Sequence, residues 1–526
     1  MKNVFLSKVV LLAALINMKR LIILFITMMG IVTCYAQTVV RGVVFEDANH
    51  NSILDAGERG IAGVGVSNGT DVVLTNQNGE YELPASDNMI VFVIKPSGYR
   101  VPVNELQLSQ FYYIHKPNGS PPLRYSGSSP IGLLPERVNF PLIKYDEPND
   151  FNIIIFGDTQ TYSEREIDYL KRGVVDNMTG ISDMAFGATL GDLTGDRPDL
   201  FAPLTRLIAQ IGVPWYHVIG NHDQNFDAEN DLTSNEAYEA FYGPATYSFN
   251  YGKVHFIVAD NIIHSLNDDG RAQYIGGLRE DQFRFIENNL RYVPEDYLIV
   301  FMAHIPLYDE GRETFLHTDR NRLFATLSRF PHTLSLSAHT HYIKHYFFDE
   351  SEGWRREEPH HHLSVATICG DWWRGVVDQY NLPGTMMRDG SPQGYFVFKF
   401  SENRYIYDFH AVRYNDPQQI SLYKQDQALY ANFFTGNKFS VLRYRINEGE
   451  WRPMQMVLER DPLFSSIRQR WEDETGLPGR VPSRPIFSEH LWKAEISAPP
   501  DYSVVEVEAT DMYGRTFMQK MLIRRN

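Results

Sequence analysis

Cysteine is almost absent from this sequence: the 526 residues include only two, Cys34 and Cys369. A small fold held together by disulfides needs paired cysteines within a domain, so that class is excluded. Cys34 lies in the apolar N-terminal region, which leaves a single thiol for the rest of the chain. The stability of the folded protein must therefore come from apolar cores and, where ligands permit, from bound metals.

Positive charge is also scarce, because 49 basic residues stand against 65 acidic ones and the formal net charge is -16. No basic patch or stripe overrides that balance, so the chain would repel a phosphate backbone and we expect no nucleic-acid partner. The composition is 43% hydrophobic and 13% aromatic, which excludes disorder for most of the chain. Its length predicts two to four domains.

Long apolar runs are confined to the N-terminus. Residues 21–32 form such a run, preceded by the basic pair Lys19–Arg20 and followed by TCYAQ. The run is shorter than the ~20 apolar residues of a membrane span. It predicts a secretory signal peptide over residues 1–36, with cleavage after Ala36. We therefore expect an exported protein, periplasmic or extracellular, with no transmembrane anchor after cleavage.

Two alternatives to a cleaved signal remain open. The apolar run could serve as a membrane anchor, although its length argues against a full span. Cys34 could carry a lipid, but the preceding Ile31, Val32 and Thr33 fit the usual lipoprotein signal poorly.

The first part of the mature chain has the texture of a small β-sandwich. Over residues 37–105, short β-rich runs with alternating apolar positions are separated by Gly, Asn and Asp. Residues 106–149 are rich in Pro, Ser and Gly, which predicts a connector with little regular structure.

The stretch DANHNSILDAGE within the first domain has the spacing of a calcium loop. Oxygen ligands at such positions can surround a hard cation. The sixth position is Ser52 where a helix–loop–helix calcium site has Gly, and no flanking helices are evident. A polar turn rich in Asx residues is the alternative. The candidate calcium ligands are Asp47, Asn49, Asn51, Ile53, Asp55 and Glu58.

Strand-like and helix-like segments alternate over residues 150–403, which predicts an α/β layer structure. Helices are predicted at 163–178, 199–211, 234–242, 278–291 and 321–329. Three strand-like runs after Thr340 have no long helices between them, so we expect them to complete a second sheet. Residues 404–526 contain further strand-like pieces and turns, which predict a second β-sandwich.

Metal-capable side chains follow the predicted strands of the α/β region. Open α/β sheets place ligand sites at the carboxyl ends of their strands, so these side chains are expected at one edge. Any one of them alone would be more simply explained as a helix cap, a turn or a hydrogen-bonded core residue. Coming from five strands together, they predict a metal centre; they are Asp158, Gln160, Asp192, Asn221, His222, Asp223, His304, His339 and His341.

The ordered segments GDTQ, GDLTGD, GNHD, MAH and AHTH resemble the signature of the calcineurin-like metallophosphoesterase superfamily. The resemblance covers residues 152–341. The flanking regions, with CGDWWRG and MMRDGSPQGY, resemble an exported bacterial branch that has an N-terminal β-domain and a dedicated C-terminal domain. The resemblance implies two sheets packed face to face between helices, with the metal site at one edge.

The resemblance also implies a ligand set for two divalent cations. Asp158, Gln160, Asp192 and His341 would hold one, and Asp192, Asn221, His304 and His339 the other, so that Asp192 bridges. The signature has His where this chain has Gln160, and Gly where it has Ala338. A Gln oxygen is a harder ligand than imidazole, so the first cation would shift toward Mn²⁺, Mg²⁺ or Fe, with Zn²⁺ also open.

Such a pair of cations suits the hydrolysis of phosphate esters. Metals ~3.5–4 Å apart can share a water, lower its pKa toward ~7 and aim the hydroxide at phosphorus, so no protein nucleophile is required. His222 is the candidate proton donor to the leaving alcohol. Asp223 or Asp196 could orient its ring, although either could equally be a solvated loop carboxylate.

The tract GDWWRG supplies candidate substrate contacts. Trp372 and Trp373 could stack on an organic group while Arg374 pairs with a phosphate oxygen, or the two rings could simply pack one sheet against the next domain. The tract His360–His362 resembles a metal motif, but the alternating faces of a strand would split it, and we expect surface or core histidines there.

Together these features predict an exported dinuclear phosphoesterase that hydrolyses a monoester or diester, with a small-molecule, lipid or sugar phosphate as substrate. A binding protein with a degenerate phosphoesterase site is the main alternative, favoured by Gln160 and the two flanking β-domains. A carbohydrate-active enzyme of another class would need paired catalytic carboxylates or a nucleophilic Ser, and we find no recognisable motif for either.

Overall fold

The computed structural model describes residues 38–178, 183–412, 418–496 and 502–524. The predicted signal peptide and Cys34 lie outside the described residues. Among the described helices, none is both long enough and apolar enough to cross a membrane.

The N-terminal region forms two four-stranded sheets. Their strands are β1 (Val39–Glu46), β2 (Gly65–Ser67), β3 (Val72–Leu74), β4 (Glu80–Pro84), β5 (Met89–Ile94), β6 (Tyr99–Arg100), β7 (Tyr112–His115) and β8 (Phe140–Lys144). The first sheet has the order β4-β1-β8-β6 and the second β3-β2-β5-β7. Residues that alternate into the interior, such as Val44 and Phe92, are fully buried in a core shared with the rest of the fold.

Two of these strands lie where the composition predicted an irregular connector. β7 pairs with β5, and β8 pairs in parallel with β1, so residues 106–149 help to build both N-terminal sheets. Both partners are distant in sequence, and composition alone carries no information about such pairing.

The central region is α/β, as predicted. Its strands are β9 (Asp150–Phe156), β10 (Met184–Leu190), β11 (Trp215–Val218), β12 (Tyr247–Tyr251), β13 (Val254–Val258), β14 (Ile262–Leu266), β15 (Ala272–Gly276), β16 (Leu298–Met302), β17 (His332–Ser337), β18 (Lys344–Phe348), β19 (His360–Ser364), β20 (Gly375–Val376), β21 (Gly394–Ser401) and β22 (Arg404–Ala411). Its helices are α1 (Glu164–Gly173), α2 (Phe201–Ile208), α3 (Glu236–Tyr242), α4 (Glu280–Leu290) and α5 (His317–Leu327). Each lies within or overlaps a segment predicted to be helical.

Two sheets pack face to face in this region, which confirms the expected architecture. One has the order β11-β10-β9-β21-β22 and the other β12-β13-β16-β17-β19-β18. Aromatic rings fill the space between them: Phe186 meets Phe256 with ring centroids 5.2 Å apart, and Tyr216 stacks on Phe249 at 4.1 Å. On the opposite face of the first sheet, Phe156 packs in a second core with residues of α1 and α2.

Parallel pairing brings the carboxyl ends of the key strands to one edge. β9, β10 and β11 are parallel in the first sheet, and β13, β16, β17 and β19 are parallel in the second. The three strands after Thr340 do not all join the second sheet as predicted. β18 and β19 do, but β21 runs antiparallel to β9 in the first sheet, because its buried Phe396, Phe398 and Phe400 complete the core there.

The three histidines of β19 are buried, as core histidines are, and two of them form hydrogen bonds with serines of β17. His360 and His362 face one side of the sheet and His361 the other, as strand alternation requires. Ser335 Oγ lies 2.7 Å from His360 Nε2 and 2.7 Å from His362 Nδ1, and Ser337 Oγ lies 2.9 Å from His362 Nε2. These bonds form a polar ladder between β17 and β19, the serine–histidine ladder.

The C-terminal region forms two further four-stranded sheets, with the orders β23-β24-β29-β27 and β26-β25-β30-β31. Residues such as Leu429, Trp492 and Val507 fill a core between them. The elements are β23 (Ile420–Gln425), β24 (Ala428–Phe433), β25 (Val441–Ile446), β26 (Arg452–Pro453), β27 (Gln455–Arg460), α6 (Pro462–Asp473), β28 (Gly479–Arg480), β29 (Phe487–Glu495), β30 (Tyr502–Thr510) and β31 (Thr516–Arg524).

Two features of this end of the chain differ from the sequence-based expectation. β22 pairs with β21 along its whole length, so the first central sheet continues past residue 403, where the second sandwich was expected to begin. Helix α6 was not predicted. Asp461 caps it by accepting a hydrogen bond from the Phe464 amide at 2.7 Å, and Pro462 occupies its first turn.

Candidate metal centre

Five strand ends meet at one edge of the two central sheets. β9, β10 and β11 contribute from the first sheet, and β16 and β17 from the second. The polar residues that directly follow these strands come from segments far apart in sequence. They are Asp158, Gln160, Asp192, Asn221, His304, His339 and His341, and all are largely or completely buried except the half-buried His339.

Three of these residues gather around the imidazole of His304, which is a fourth. The Nε2 atom of His304 lies 3.2 Å from Asp192 Oδ1 and 3.1 Å from Asn221 Oδ1. The Nδ1 atom of His339 lies 3.1 Å from the same nitrogen. Asp192, His304 and His339 each offer a ligand atom within 4.8 Å of the others, which is a spacing that a single cation can bridge.

A second group lies on the other side of Asp192. Asp158 Oδ2 is 3.1 Å from His341 Nε2. Gln160 directs its side chain at Asp192, with Nε2 3.3 Å from Oδ2. The two carboxylate oxygens of Asp192 therefore face the two groups separately, as a bridging ligand would.

The polar atoms of this cluster cannot all satisfy one another by hydrogen bonds, and their arrangement suits bound cations better. Asp158 Oδ2 is buried and makes no hydrogen bond, although the His341 nitrogen is 3.1 Å away. His304 Nε2 has three polar neighbours within 3.2 Å, whereas one ring nitrogen can make only one good hydrogen bond. Carboxylate, amide and imidazole donors together suit divalent metals such as Mn²⁺, Fe, Zn²⁺ or Mg²⁺.

Backbone carbonyls set the orientation of two ligand rings. His304 Nδ1 lies 2.8 Å from the Leu190 carbonyl, and His341 Nδ1 lies 2.6 Å from the Gly370 carbonyl. A ring that donates from Nδ1 presents the lone pair of Nε2 to the cluster, which is the arrangement that metal-binding histidines need.

The backbone of the site is strained and closely packed. A left-handed φ in a non-glycine residue costs on the order of 1–3 kcal/mol and tends to mark functional sites. Gly220 is required because a Cβ there would lie 1.9 Å from the Asp192 amide nitrogen. The left-handed residues around the site are Gln160, Asp192, Asp196, His339, His341, Trp372 and Trp373.

Electrostatics favour charge separation within the cluster. Burial alone would disfavour the Asp192 carboxylate, but His304 and His222 outweigh it and hold its pKa below the usual value. Burial likewise opposes protonation of His304, yet Asp192 raises its pKa to about 9. Bound cations would replace the histidine protons as the partners of Asp192.

His222 lies beside the ligand cluster and contacts Asp196, one of the two carboxylates predicted to orient its ring. Its Nδ1 lies 2.6 Å from Asp196 Oδ1, and its Nε2 lies 4.0 Å from Asp192 Oδ2. Burial opposes protonation of this ring, but Asp192 and Asp196 raise its pKa to about 9.

Asp223 does not contact the His222 ring through a hydrogen bond. Its carboxylate accepts from the backbone amides of Leu193, Thr194 and Gly220 at 2.9–3.0 Å. Burial, followed by the charge of Asp192, raises its pKa to about 7. Asp223 therefore ties together the loops that follow β10 and β11, and Asp196 is the residue that orients His222.

The three residues of the tract after β19 have different positions. Trp372 is half-buried and stacks on His341, with ring centroids 4.1 Å apart. Arg374 lies over the Trp372 ring at 5.6 Å. Trp373 is buried and donates Nε1–H to the Thr159 carbonyl at 3.1 Å, so it packs behind the site and is not accessible to a substrate.

Two aromatic rings near the cluster were missed from the sequence. Tyr274, on the hairpin of β14 and β15, is 45% exposed and has its ring 6.0 Å from that of His339. The ring of Tyr162 lies 6.4 Å from that of His222. Neither follows a strand end in the way that the ligands do, so the strand-end pattern could not find them.

Asn261 and Cys369 also contact the ligand set. Asn261 Oδ1 accepts from the amides of His304 and Ile305 at 3.2 and 3.0 Å, and it directly follows strand β13 and Asp260. The strand-end pattern could have found it. Cys369 Sγ lies 3.6 Å from His341 Nδ1, and burial raises the pKa of its thiol. A lone cysteine gives no comparable sequence signal.

The candidate calcium loop is held by internal hydrogen bonds. Asp47 accepts from the amides of Asn51 and Ser52, and Glu58 accepts from those of Ala48 and Asp55. The amide groups of Asn49 and Asn51 donate to Asp55 Oδ2 at 2.8 and 2.9 Å, and Ile53 is exposed. These contacts are those of the alternative, a polar turn, and the calcium site stays a prediction.

The sequence matches three family models in succession. Residues 48–124 match the N terminal of calcineurin-like phosphoesterase, residues 151–342 match calcineurin-like phosphoesterase, and residues 362–517 match the C terminal of calcineurin-like phosphoesterase. The central match covers all seven ligand residues described above.

The solved structures that resemble this chain share little of its sequence. Purple acid phosphatase PPD1 from yellow lupin is 12% identical, over 71% of this chain and 66% of that one, with a TM-score of 0.37. GAP50 of Plasmodium is 14% identical over 51% and 86% of the two chains, with a TM-score of 0.31. A Sphaerobacter thermophilus metallophosphoesterase is 13% identical over 50% and 90%, with a TM-score of 0.24. No curated protein sequence matches the chain.

Proposed function

The chain belongs to the calcineurin-like phosphoesterases, and on that premise we propose that it is an exported dinuclear-metal phosphoesterase. Its substrate is a phosphomonoester or a phosphodiester of a small molecule, a lipid or a sugar. The observation that carries the proposal is the convergence of seven side chains, Asp192 and six others, with Asp158 Oδ2 left without a hydrogen bond.

The two ligand groups define what each cation would contact. Asp158, Gln160 and His341 would hold the first, and Asn221, His304 and His339 the second, with Asp192 shared. When bound, two divalent cations supply an acidified water as nucleophile and the positive charge that retains a phosphoryl group.

The protein's own contribution to the reaction is proton transfer and orientation. His222 lies beside Asp192 and is 29% exposed, so it can reach a substrate oxygen. Asp196 accepts from Nδ1, which leaves Nε2–H to protonate the leaving alkoxide oxygen as its bond to phosphorus breaks. The Asp196–His222 pair thus holds a donatable proton on the open side of the cluster.

The partly exposed rings of Tyr162, Tyr274 and Trp372 lie next to His222, His339 and His341 in turn. Aromatic faces stack on planar or sugar-like groups rather than on bare phosphate. We therefore favour an ester whose leaving group is planar or cyclic, with Arg374 placed near Trp372 to meet a remaining phosphate oxygen.

Metal analysis and an ester panel test the proposal. Purified protein should contain close to two equivalents of Mn, Fe, Zn or Mg and should hydrolyse p-nitrophenyl phosphate, bis(p-nitrophenyl) phosphate, or lipid and sugar phosphates. Asp192→Asn should lower kcat by at least about 100-fold, because it removes charge shared by both metals. Asp199→Asn changes an exposed carboxylate paired with Arg197 and serves as the control.

The alternative function is ligand binding at a site that has lost catalysis. Gln160 favours it, because this residue points its amide nitrogen at Asp192 in place of the imidazole of the family signature. That alternative predicts full metal occupancy without turnover of any ester. Turnover that disappears in Asp192→Asn would eliminate it.

Export can be tested separately from catalysis. The support is the basic pair, apolar run and TCYAQ tail of the first 36 residues. Expression of the full sequence in a bacterium that exports proteins should release a mature chain beginning at Gln37, detected by mass spectrometry of the periplasm and medium. A chain retained in the cytoplasm with its N-terminus intact would contradict the proposal.

A further inference from the structure

The turn that carries His341 is held by a loop that leads to the C-terminal region. The amide of Arg388 donates to the His341 carbonyl at 3.1 Å. The next residue, Asp389, accepts from the amide of Ile343 through Oδ2 at 2.8 Å. The backbone on both sides of the ligand is therefore fixed by two adjacent residues of one loop.

That loop is in turn fixed by the C-terminal sheets. His490, on β29, places Nε2 2.9 Å from Asp389 Oδ2. Asn432, on β24, donates Nδ2–H to the Asp389 carbonyl at 3.1 Å. Asp389, Asn432 and His490 are all at least 98% buried, so water cannot replace these bonds.

The contacts of Asn432 indicate which atoms of this network donate hydrogen bonds and which accept them. Asn432 Nδ2 also donates to Asp461 Oδ2 at 3.0 Å, so Asn432 Oδ1 faces His490 Nδ1, at 2.7 Å, as an acceptor. Both His490 nitrogens then face hydrogen-bond acceptors, Asn432 Oδ1 and Asp389 Oδ2. Hydrogen bonds that a carboxylate accepts are shorter and stronger than those between neutral groups.

The tryptophan loop is attached to the same C-terminal region. Arg480 donates to Glu166 Oε1 at 2.7 Å and to the Trp372 carbonyl at 2.6 Å. Strand β28, which contains Arg480, pairs with β20 directly after that loop. The amide of Ser483 donates to Asp371 Oδ2. Two parts of the site, His341 and Trp372, thus depend on contacts made by the C-terminal region.

We propose that the C-terminal domain is a positioning element of the metal centre and that His490, acting through Asp389, fixes His341 for metal binding. A buried polar network in which every member has a hydrogen-bond partner holds its groups in one arrangement. Partners that orient a ligand typically contribute 10–100-fold to metal affinity. The inference rests on the proposed function only in taking His341 as a metal ligand.

Calorimetric titration of the full-length mature chain with Mn²⁺ tests the role of His490. His490→Leu removes both ring donors and should weaken Mn²⁺ binding on the order of 10-fold. His490→Gln retains a donor toward Asp389 and should restore affinity to within about 3-fold of wild type. Asp389→Asn keeps the side-chain shape but loses the charge, and it provides an intermediate case should His490→Leu fold poorly.

Tyr444→Phe is the matched control for a loss of stability alone. It removes one partly buried hydrogen bond, from Tyr444 Oη to the Glu495 carbonyl at 3.2 Å, within the same C-terminal domain but outside the hydrogen bonds of Asp389 and His490. Its melting temperature should fall while its Mn²⁺ affinity stays at the wild-type value. Equal loss of affinity in this variant would show that general destabilisation is responsible and would overturn the positioning role.

The result separates this inference from the proposed function. Unchanged Mn²⁺ affinity in folded His490→Leu overturns the positioning role while leaving the phosphoesterase proposal in place. Wild-type protein that binds Mn²⁺ but hydrolyses no ester overturns the phosphoesterase proposal, and a weakened His490→Leu would still support the positioning role.

Discussion

Two aspartates near His222 illustrate how environment assigns a task to a carboxylate. Asp196 is about half exposed and meets the ring nitrogen at 2.6 Å, whereas Asp223 is buried and receives three backbone amides. A carboxylate saturated by amides cannot also steer a ring. Only Asp196 is free to respond when His222 gains or loses a proton.

Removal of the His222 ring should affect esters according to their leaving group. For alkyl phosphates, whose alcohols need protonation, we expect His222→Ala to lower kcat about 100-fold. For p-nitrophenyl esters, whose leaving group is already stable as an anion, the loss should be several-fold smaller. Asp196→Asn should show the same ordering with smaller losses, and both variants should retain their metals in elemental analysis.

Asp199→Asn again provides the control for this series, because its carboxylate pairs with Arg197 and does not contact His222. An equal loss of kcat for alkyl and p-nitrophenyl esters in His222→Ala would contradict the proton-donor role.

At this scale, the strand-end pattern predicted which residues the structure brings together but not all of their roles. The seven candidate ligands could be found because parallel strands place their carboxyl ends at one edge. The choice between Asp196 and Asp223 depends on which backbone amides the loops present, and the sequence does not reveal that. Trp373 could not be separated from Trp372, because adjacent residues on a left-handed turn point in directions that no simple periodicity describes.

The serine–histidine ladder is an element-scale feature, since it links two neighbouring strands along their length. β17 carries the candidate ligands His339 and His341 just past its end, and β19 leads into the tryptophan loop. Each ladder histidine bonds to hydroxyls above and below, and burial keeps the pKa of His360 depressed to about 3. The register between β17 and β19 is therefore specified by polar contacts as well as by packing.

Ser335→Ala should be the most damaging single change in the ladder. It removes the shared hydroxyl between His360 and His362 and leaves two buried ring nitrogens without partners. Each unsatisfied group costs about 1–3 kcal/mol, so we expect a loss of about 2–4 kcal/mol in the free energy of unfolding, measured by urea denaturation. Ser265→Ala, at an exposed position of β14, should change it by less than about 0.5 kcal/mol.

Elements with strong local patterns were predicted well, and those that depend on distant partners were not. The helices of the central region follow from apolar periodicity, as α1 and α4 illustrate. Strand β21 pairs with β9, which lies far earlier in the sequence, and no local pattern indicates that pairing. The sequence around α6 is rich in charge and sits between β-rich runs, which hid its capping signal at Asp461.

On the scale of the whole molecule, one buried ion pair joins the N-terminal region to the central region. Lys116 follows β7, and its Nζ lies 2.6 Å from Glu236 and 2.9 Å from Glu239 of α3. The side chains of Lys116 and Glu236 are only 5% and 7% exposed. Burial disfavours the charge on Lys116, but the two glutamates outweigh it and raise its pKa.

Lys116→Ala should destabilise the whole molecule. It leaves Glu236 buried without a cation, which typically costs 3–5 kcal/mol, so we expect a loss of about 3 kcal/mol in chemical denaturation. Lys171→Ala, which breaks an exposed pair with Asp176, should cost less than about 1 kcal/mol and is the control. Similar losses in the two variants would contradict the view that the N-terminal contact is a structural joint.

The order of the regions was the most accessible property of the whole chain, because strand-like and helix-like segments begin to alternate near residue 150. The order of a β-rich region, an α/β region and a second β-rich region agrees with the three family models. The connections between these regions were not accessible. Lys116, Asp389 and Arg480 each act across a long stretch of sequence, and such pairings leave no local trace.

The place of β21 and β22 in the first sheet has a consequence for biosynthesis. A growing polypeptide emerges from the ribosome with β9 complete long before residues 394–411 exist to cover its side. During that interval β9 offers an unpaired edge to any neighbouring chain. We therefore expect chaperones to bind the nascent protein until residues 394–411 have been synthesised.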